Sequence, residues 1–187
     1  MNMRGIAALA VSACLMVPAA AGAATKAEEQ ADIRKMEQET LARLYKAVPS
    51  AKGAVEKAAG HAVFSNFGMK IFVAGGGSGK GVAVDHASKK ATFMKMAEIQ
   101  AGLGIGVKKF RLVFVFDSKQ ALDAFVNSGW EFGGQASAAA KSGDKGASYQ
   151  GAASVSPGVW LYQLTDTGLA AEITAKGTKY YKDNDLN

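Results

Sequence analysis

Residues 71–84, IFVAGGGSGKGVAV, place a glycine-rich segment with one lysine between two apolar segments. Glycine adopts positive φ angles without steric penalty, as the turn of a hairpin requires. The pattern therefore predicts a β-hairpin whose turn lies in the glycines and carries Lys80. A nucleotide-binding loop is the competing interpretation, because glycines followed by a lysine also bind phosphates.

Neither phosphate-binding fingerprint fits this segment. A P-loop needs a glycine five positions before the glycine–lysine pair and a hydroxyl residue directly after it, but Ala74 and Gly81 occupy those positions. A dinucleotide fingerprint needs a helix after the glycines, whereas residues 82–84 are the strand-forming sequence VAV. We therefore interpret the glycines as structural.

The composition is that of one globular domain with a positive charge. The chain has 187 residues, of which 49% are hydrophobic and 20% are charged. This is enough to bury a substantial core. The formal net charge of +6 favours an anionic partner, which could be nucleic acid, acidic lipid or an acidic protein.

Residues 1–23 are expected to be a secretory signal peptide, followed by a single domain over 24–187. Arg4 precedes an apolar run at 6–17, and Ala21 and Ala23 form a small-residue cleavage pattern. Cleavage near Ala23 would place the domain in the periplasm or outside the cell and would remove Cys14, the only cysteine. A lipid anchor through Cys14 is the alternative, because small residues precede it at 11–13.

The first part of the mature chain reads as helical. Apolar residues recur at steps of three and four over 26–48, which predicts an amphipathic helix with charged residues, Glu37 among them, on its other faces. Ser50 is a suitable N-cap for a short second helix over 50–59. These two segments are expected to pack on a sheet.

From residue 62 onward the pattern changes to that of strands. β-branched and aromatic residues alternate with small or polar ones, which predicts consecutive antiparallel strands. The expected strands are 62–67, 71–76, 81–86, 91–99, 102–107, 110–116, 159–164, 169–175 and 178–181, with a loop at 141–148.

Residues 108–126, KKFRLVFVFDSKQALDAFV, define a strand followed by a capped helix. Phe114 and Phe116 lie on one face of the strand and Val113 and Val115 on the other, so this strand is expected to be covered on both sides. Asp117 is predicted to cap the helix that follows. The fold class is therefore α+β: N-terminal amphipathic helices on an antiparallel, strongly twisted or barrel-like sheet, with one further helix at about 117–127.

Catalytic and metal-binding patterns are not apparent. His61 and His86 have no second ligand at a helical or hairpin spacing, and we interpret both as surface or turn residues. The serines do not occupy a nucleophile elbow. We therefore expect no enzymatic activity, no metal and no cofactor.

Basic residues cluster in or beside the predicted turns of the sheet. If alternate turns share one rim, these residues form a basic surface; the alternative is that they are solvated residues that keep the strands soluble. Nucleic acid is disfavoured, because aromatic residues do not alternate with the bases and an exported protein seldom meets nucleic acid. The candidate ligand-binding residues are Lys80, Lys89, Lys90, Lys108, Lys109 and Arg111.

Three segments together resemble the SYLF domain family. They are VFSNFGMKIFVAGGGSGKGVAVD at 63–85, AEIQAGLGIGVKKFRLVFVFDSKQALDAFVNSGWEFGGQAS at 97–137, and VWLYQLTDTGLAAEITAKGTKYY at 159–181. The resemblance implies a lipid-binding module directed at acidic phospholipids through an N-terminal amphipathic segment and a basic surface. The residues on that segment that would contact a membrane are Arg34, Lys35, Arg43 and Lys46.

The sequence and the resemblance together predict an exported, non-enzymatic domain that binds acidic phospholipid or a lipid-like ligand through its basic surface. The alternative is a structural or protein-interaction module of the cell envelope without lipid specificity. The family has no single catalytic or ligand-binding signature that could be matched to residues of the basic surface.

Overall fold

The structure is a computed structural model that describes residues 25–71, 74–101, 106–128, 131–132, 149–170 and 178–187. Several predicted features lie outside these residues: the signal peptide with Cys14, residues 102–105 of the predicted strand 102–107, the loop at 141–148, and residues 171–175 of the predicted strand 169–175.

The first helix, α1, spans Lys26–Ala47. It begins with a capping box in which the Thr25 side chain accepts from the Glu28 amide and the Glu28 carboxylate accepts from the Thr25 amide. The predicted helix is therefore confirmed. The placement of Glu37 on a solvent face is wrong, because Glu37 is buried in the same stripe as Ile33 and Leu44.

Two shorter helices follow, α2 at Ser50–Lys57 and α3 at Lys119–Asn127. Both predicted caps are wrong by one residue. Pro49 is the N-cap of α2, so Ser50 is its first helical residue. Ser118 caps α3 by accepting from the Ala121 amide, which leaves Asp117 free of that role.

The strands form one antiparallel, strongly curled sheet. Their order is β5-β9-β3-β2-β1-β4-β7-β6, with β8 paired to β7. Because β4 pairs with β1 and not with β3, the central strands are not a simple consecutive meander. The α+β prediction is confirmed. The strands are β1 (Gly60–Ile71), β2 (Ala74–Asp85), β3 (Ala91–Ala101), β4 (Gly106–Phe116), β5 (Glu131–Phe132), β6 (Ala153–Ser156), β7 (Val159–Thr165), β8 (Gly168–Leu169) and β9 (Thr178–Lys182).

The glycine segment forms part of a strand, so the predicted turn position is wrong. β1 ends at Ile71 and β2 begins at Ala74, and these two residues pair with each other. Gly81 lies opposite Phe64, and a Cβ at Gly81 would overlap both the Phe64 ring and the Val63 carbonyl. The glycine therefore makes room for an aromatic ring on the neighbouring strand.

The sheet carries a core on each face. On one face, α3 contributes Phe125 to a cluster in which the Phe64 and Tyr180 rings lie 4.9 Å apart. On the other face, α1 and α2 pack Leu44 and Val55 against the strands. The alternation predicted for β4 is confirmed, because its phenylalanines join the first cluster and its valines the second.

Candidate functional site

Lys80 lies inside β2 and not in a turn. Its ammonium forms an ion pair with the carboxylate of Glu29 on α1. Lys80 pairs across strands with Ser65 and Lys95, and Ser65 pairs in turn with Arg111. Directly paired residues share a face of the sheet. Three cations, on β3, β2 and β4, therefore lie in one row on the side that α1 covers.

Acidic side chains neutralise two cations of this row. The Lys95 Nζ atom lies 2.8 Å from Asp183, whose side chain is buried, and 3.0 Å from Asp185. The hydrogen bonds that Lys95 donates to Asp183 and Asp185 raise the pKa of Lys95 above its usual range. Lys80 is paired with Glu29, whereas Arg111 forms no ion pair among the described residues. The row is therefore mainly a structural feature.

Lys89 and Lys90 lie at a different end of the sheet from Lys108 and Lys109. Lys89 and Lys90 occupy the turn between β2 and β3, where Lys89 has a left-handed backbone with a φ of 58°. Phe116 of β4 lies at the same end of the sheet as this turn, and Lys108 lies eight residues away from Phe116 along β4. At about 3.3 Å per residue, the separation is about 26 Å. The six predicted residues therefore do not share one rim.

The four basic residues predicted on the first helix divide into two kinds. Arg34 Nη1 lies 2.8 Å from Glu37 and is tied to the sheet side of α1. Lys35, Arg43 and Lys46 are exposed and have no ion pair among the described residues. They form an outward-facing basic stripe that runs from the middle of the helix to its C-terminal end.

A cavity of about 250 Å³ lies between α3 and the β2–β3 turn; we call it the α3 cavity. Its walls carry three lysines from three elements: Lys90 from the turn, Lys119 from α3 and Lys182 from the end of β9. Asp85 and Asp123 also line it. Lys90 is the one predicted ligand-binding residue at this cavity, whereas sequence reasoning missed the other two lysines.

A second cavity of about 340 Å³ lies beside the first, next to β3; we call it the edge cavity. The two cavities share Lys90, Thr92 and Lys182. These residues therefore form the wall between two concave surfaces. Gln30 of α1 and Asn187 contribute to the far side of the edge cavity.

The lysines of the α3 cavity differ in how far their charges are compensated. Lys119 Nζ lies 2.8 Å from Asp123 and 3.4 Å from Asp85, and its hydrogen bond to Asp123 raises its pKa. Lys182 Nζ donates at 2.7 Å to the neutral Asn127 side chain. Lys90 has no side-chain partner among the residues that the structure describes. Lys90 and Lys182 thus form no ion pair among the described residues, and the three lysines and two aspartates of the lining give it a net charge of +1.

A buried polar chain joins α1 to the sheet. Arg34 and His61 both contact the Glu37 carboxylate, at 2.8 Å each. The second ring nitrogen of His61 lies 2.7 Å from His86, whose other nitrogen lies 2.9 Å from the Ala58 carbonyl. The interpretation of His61 as a surface or turn residue is therefore wrong, because His61 is buried in β1. His86 does lie in the turn after β2, as predicted, and its ring is joined to that of His61.

Protonation in this chain follows from burial and hydrogen bonding. Burial raises the pKa of Glu37, but hydrogen bonds from His61 and Arg34 outweigh burial and hold that pKa below its usual range. Burial and the charge of His61 lower the pKa of His86. The sequence does contain a signal for this network: Glu37 is four residues after Ile33 and therefore falls in the buried stripe of α1.

Asp117 takes part in an aromatic cluster instead of capping α3. The Tyr149 hydroxyl and the Trp160 indole nitrogen both donate to its carboxylate. The two rings stack with centroids 4.4 Å apart and an angle of 5° between their planes. This contact ties Tyr149, which follows residues 133–148, to the end of β4.

The described residues contain neither a metal-binding cluster nor a membrane-spanning helix. Within that part of the chain, no three histidine, cysteine or acidic side chains are placed to share a metal ion. No helix there has both the length and the apolar character needed to cross a bilayer.

Comparison with known proteins gives two matches. Residues 97–187 match the model of the Ysc84 family, described as a Las17-binding protein actin regulator. Beta cell expansion factor A of Aeromonas veronii is 35% identical over 166 residues, which are 87% of this chain and 60% of that protein. The Ysc84 model is that of the SYLF domain.

Residues 97–187 of the chain therefore resemble a SYLF domain. The matched residues begin in β3 and include β4, α3 and β9. Lys119 and Lys182 of the α3 cavity lie inside the SYLF match, whereas Lys90 and the Glu37–His61–His86 chain precede it. The similarity to the Aeromonas protein extends over most of the chain, which spans 60% of the length of that relative.

Proposed function

We propose that this chain is a non-enzymatic, exported protein that binds the acidic surface of phospholipid membranes. The carrying observation is the lysine end: Lys89, Lys90, Lys119 and Lys182 converge where β2 turns into β3. Membrane surfaces rich in acidic lipid attract such clusters, with about 1 kcal/mol for each lysine or arginine near the surface. The SYLF resemblance, which implies a lipid-binding module, supports the same function.

Three of the four charges of the lysine end are available to a partner, whereas Lys119 is paired with Asp85 and Asp123. Lys89 and Lys90 are exposed and form no ion pair within the described part of the chain. By contrast, Lys80 and Lys95 are compensated by acidic residues. The lysine end is therefore a better membrane-contacting surface than the row of cations under α1.

The outward stripe of α1, formed by Lys35, Arg43 and Lys46, is the second surface that could contact a membrane. Glu39 lies between these residues on the exposed side of the helix and reduces their combined charge. A helix that lies on a membrane presents bases along its whole polar face and buries its apolar face in lipid. Here the apolar stripe of α1 is packed against the sheet. We therefore assign the main contact to the lysine end.

Vesicle co-sedimentation tests the function and the surface together. We expect the protein to bind vesicles that contain phosphatidylglycerol and not to bind vesicles of pure phosphatidylcholine. The bound protein should dissociate from the anionic vesicles as the salt concentration is raised. Equal binding to both kinds of vesicle, or no binding to either, would overturn the proposal. Lipid-independent capture of a cell-envelope protein would then favour the interaction-module alternative.

Two double variants with the same charge change compare the surfaces. Lys89→Glu with Lys90→Glu should abolish binding to anionic vesicles, whereas Lys35→Glu with Lys46→Glu should weaken it only partly. The opposite order would move the contact to α1. Export is tested separately, by sequencing the N-terminus of the protein recovered from the periplasm; a chain that retains residues 1–23 would contradict it.

A further inference from the structure

We propose that the α3 cavity is a binding site for a phosphate ester that carries hydroxyl groups, of the glycerophosphate class. This inference rests on the proposed membrane function and deepens it by naming a headgroup site. The ligand chemistry could come from a phosphatidylglycerol headgroup or from a free glycerophosphate, and the experiment below separates these sources.

The shape of the cavity fits a headgroup and not a whole lipid. Its volume of about 250 Å³ lies just below the usual range for small-molecule sites, which begins at about 300 Å³. Leu122 and Ala83, at its base, are themselves 3% and 2% exposed and offer little apolar surface for an acyl chain. The ligand is therefore too compact to include an acyl chain.

The lysines supply the phosphate contacts. Lys90 and Lys182 lie on the wall shared by the α3 and edge cavities, and acidic residues compensate neither of them in the described part of the chain. Among the described residues, the Lys182 ammonium bonds only to the neutral Asn127 amide oxygen, so its full charge and its other N–H donors are available to a ligand. A phosphate on this wall would contact both ammonium groups and have open space on either side.

The acceptors of the cavity explain why hydroxyl groups should accompany the phosphate. Asp85 and Asp123 line the same space, and inorganic phosphate would bring its negative charge close to theirs with only its P–OH groups to donate to them. Hydroxyl groups donate to carboxylates, and Ser88 and Thr92 can pair with hydroxyls as donor or acceptor. The mixture of lysines with oxygen acceptors therefore favours a glycerophosphate over inorganic phosphate.

The site is held in place before a ligand arrives. Asp85 accepts from the Ala87 and Ser88 amides at 2.8 and 3.0 Å, which fixes the β2–β3 turn. Lys119 then links Asp85 to Asp123 and thus joins the turn to α3. A preorganised site loses less conformational entropy on binding.

The test uses the full mature chain, labelled with ¹⁵N, and three probes: sn-glycerol 3-phosphate, inorganic phosphate and glycerol. We expect glycerol 3-phosphate to shift the amide signals of residues 85–92 and 119–127 in a saturable manner. Inorganic phosphate should bind roughly tenfold more weakly and glycerol should have no effect. Equal affinity for the two phosphates, or shifts spread over other surfaces, would overturn the proposal.

Variants and vesicles complete the design. Lys90→Met and Lys182→Met should each weaken glycerol 3-phosphate binding about tenfold, whereas Lys52→Met, which removes the same charge from α2 outside the cavity, should not change it. Unchanged thermal midpoints would show that the variants are folded. If neither Lys90→Met nor Lys182→Met lowered the affinity for glycerol 3-phosphate, that result would contradict the site.

Competition identifies the source of the ligand. If glycerol 3-phosphate displaces the protein from phosphatidylglycerol vesicles, the site binds a lipid headgroup. If the soluble ester binds at the cavity while vesicles do not bind, the ligand is a free ester and the membrane function fails alone. If vesicles bind but the soluble ester leaves the cavity signals unchanged, the headgroup site fails alone.

Discussion

The Nδ1 atom of His61 lies 2.7 Å from the Nε2 atom of His86. The direction of this hydrogen bond follows from the two acceptors at the ends of the hydrogen-bonded network, the Ala58 carbonyl and the Glu37 carboxylate. The Ala58 carbonyl can only accept, so His86 donates to it from Nδ1 and, when neutral, accepts at Nε2. His61 therefore donates from Nδ1, and its Nε2 must also donate, because it faces the Glu37 carboxylate.

The contribution of His86 to the stability of the domain should fall as pH is lowered from about 6.5. The fold lowers the pKa of His86 from its ordinary value of 6.5 through burial and the charge of His61. In the acidic range just below that value, the unfolded chain binds a proton that folded His86 does not, so acidification favours unfolding. Urea unfolding followed at a series of pH values measures this slope.

The His86→Gln variant isolates the contribution of this residue. A glutamine side chain can donate to the Ala58 carbonyl and accept from His61, but it does not titrate. Its stability should therefore change less between neutral pH and the range just below 6.5 than that of the natural chain. A variant with the same slope would show that the proton uptake occurs elsewhere.

Glu37→Gln should destabilise the domain by about 1–3 kcal/mol at neutral pH, because it weakens hydrogen bonds from two charged partners at a buried position. In the natural chain, the fold lowers the pKa of Glu37 below its unfolded value of 4.5. The Glu37 carboxylate therefore stabilises the fold at pH values above 4.5, and this stabilisation is lost at lower pH. The variant should lack that acidic loss. Chemical denaturation provides both measurements.

Glu39→Gln is the matched control for this substitution. It makes the same chemical change two residues away on the exposed side of α1. We expect an effect within about 0.5 kcal/mol. Equal effects of the two substitutions would show that the buried chain does not stabilise the contact between α1 and the sheet.

The periodicity of α1 and the alternation of β4 could be predicted because burial dictates both. Leu44 of α1 and Phe114 of β4 follow the helical and strand periods that a packed core requires. The Glu37–His61 contact could not be predicted, because it joins residues 24 positions apart and depends on where α1 crosses β1. The α3 cavity was missed for the same reason, since Lys90 and Lys182 meet only after β9 pairs with β3.

Gly81→Ala should destabilise the domain by about 1–3 kcal/mol, because the new methyl group would overlap the Phe64 ring and the Val63 carbonyl in a packed sheet. Glycine composition alone did not distinguish this use from a turn. Gly53→Ala is the control: it lies in α2 with no atom within 4 Å of the new Cβ. It should stabilise by about 0.5–1 kcal/mol, and thermal or urea unfolding would show whether the signs differ.

The last residues of the chain should contribute strongly to stability. Leu186 is buried against Ile33 and Phe93, and Leu186→Ala should cost about 2–5 kcal/mol. Asn187 binds the Phe93 backbone through both ends of its amide, at 2.9 and 2.8 Å. Asn187→Ala should therefore increase hydrogen exchange at the Phe93 amide, while Asn184→Ala, at an exposed neighbour, should not.

Lys80 and Lys90 should differ in their effect on vesicle binding, although both are exposed lysines on or next to β2. Lys80 is paired with Glu29, so Lys80→Met removes a compensated charge and frees an acid on the same surface. Lys90 is not compensated in the described residues and lines the α3 cavity. Lys90→Met should weaken binding to phosphatidylglycerol vesicles by about 1 kcal/mol or more.

Glu29→Gln is the control for Lys80→Met, because Glu29 is the ion-pair partner of Lys80. If the ion pair explains a small effect of Lys80→Met, then Glu29→Gln should release the Lys80 charge and strengthen vesicle binding at low salt. The double variant Glu29→Gln with Lys80→Met should return to the affinity of the natural chain. A Lys80→Met variant that loses as much affinity as Lys90→Met would place the membrane contact on the row of cations under α1.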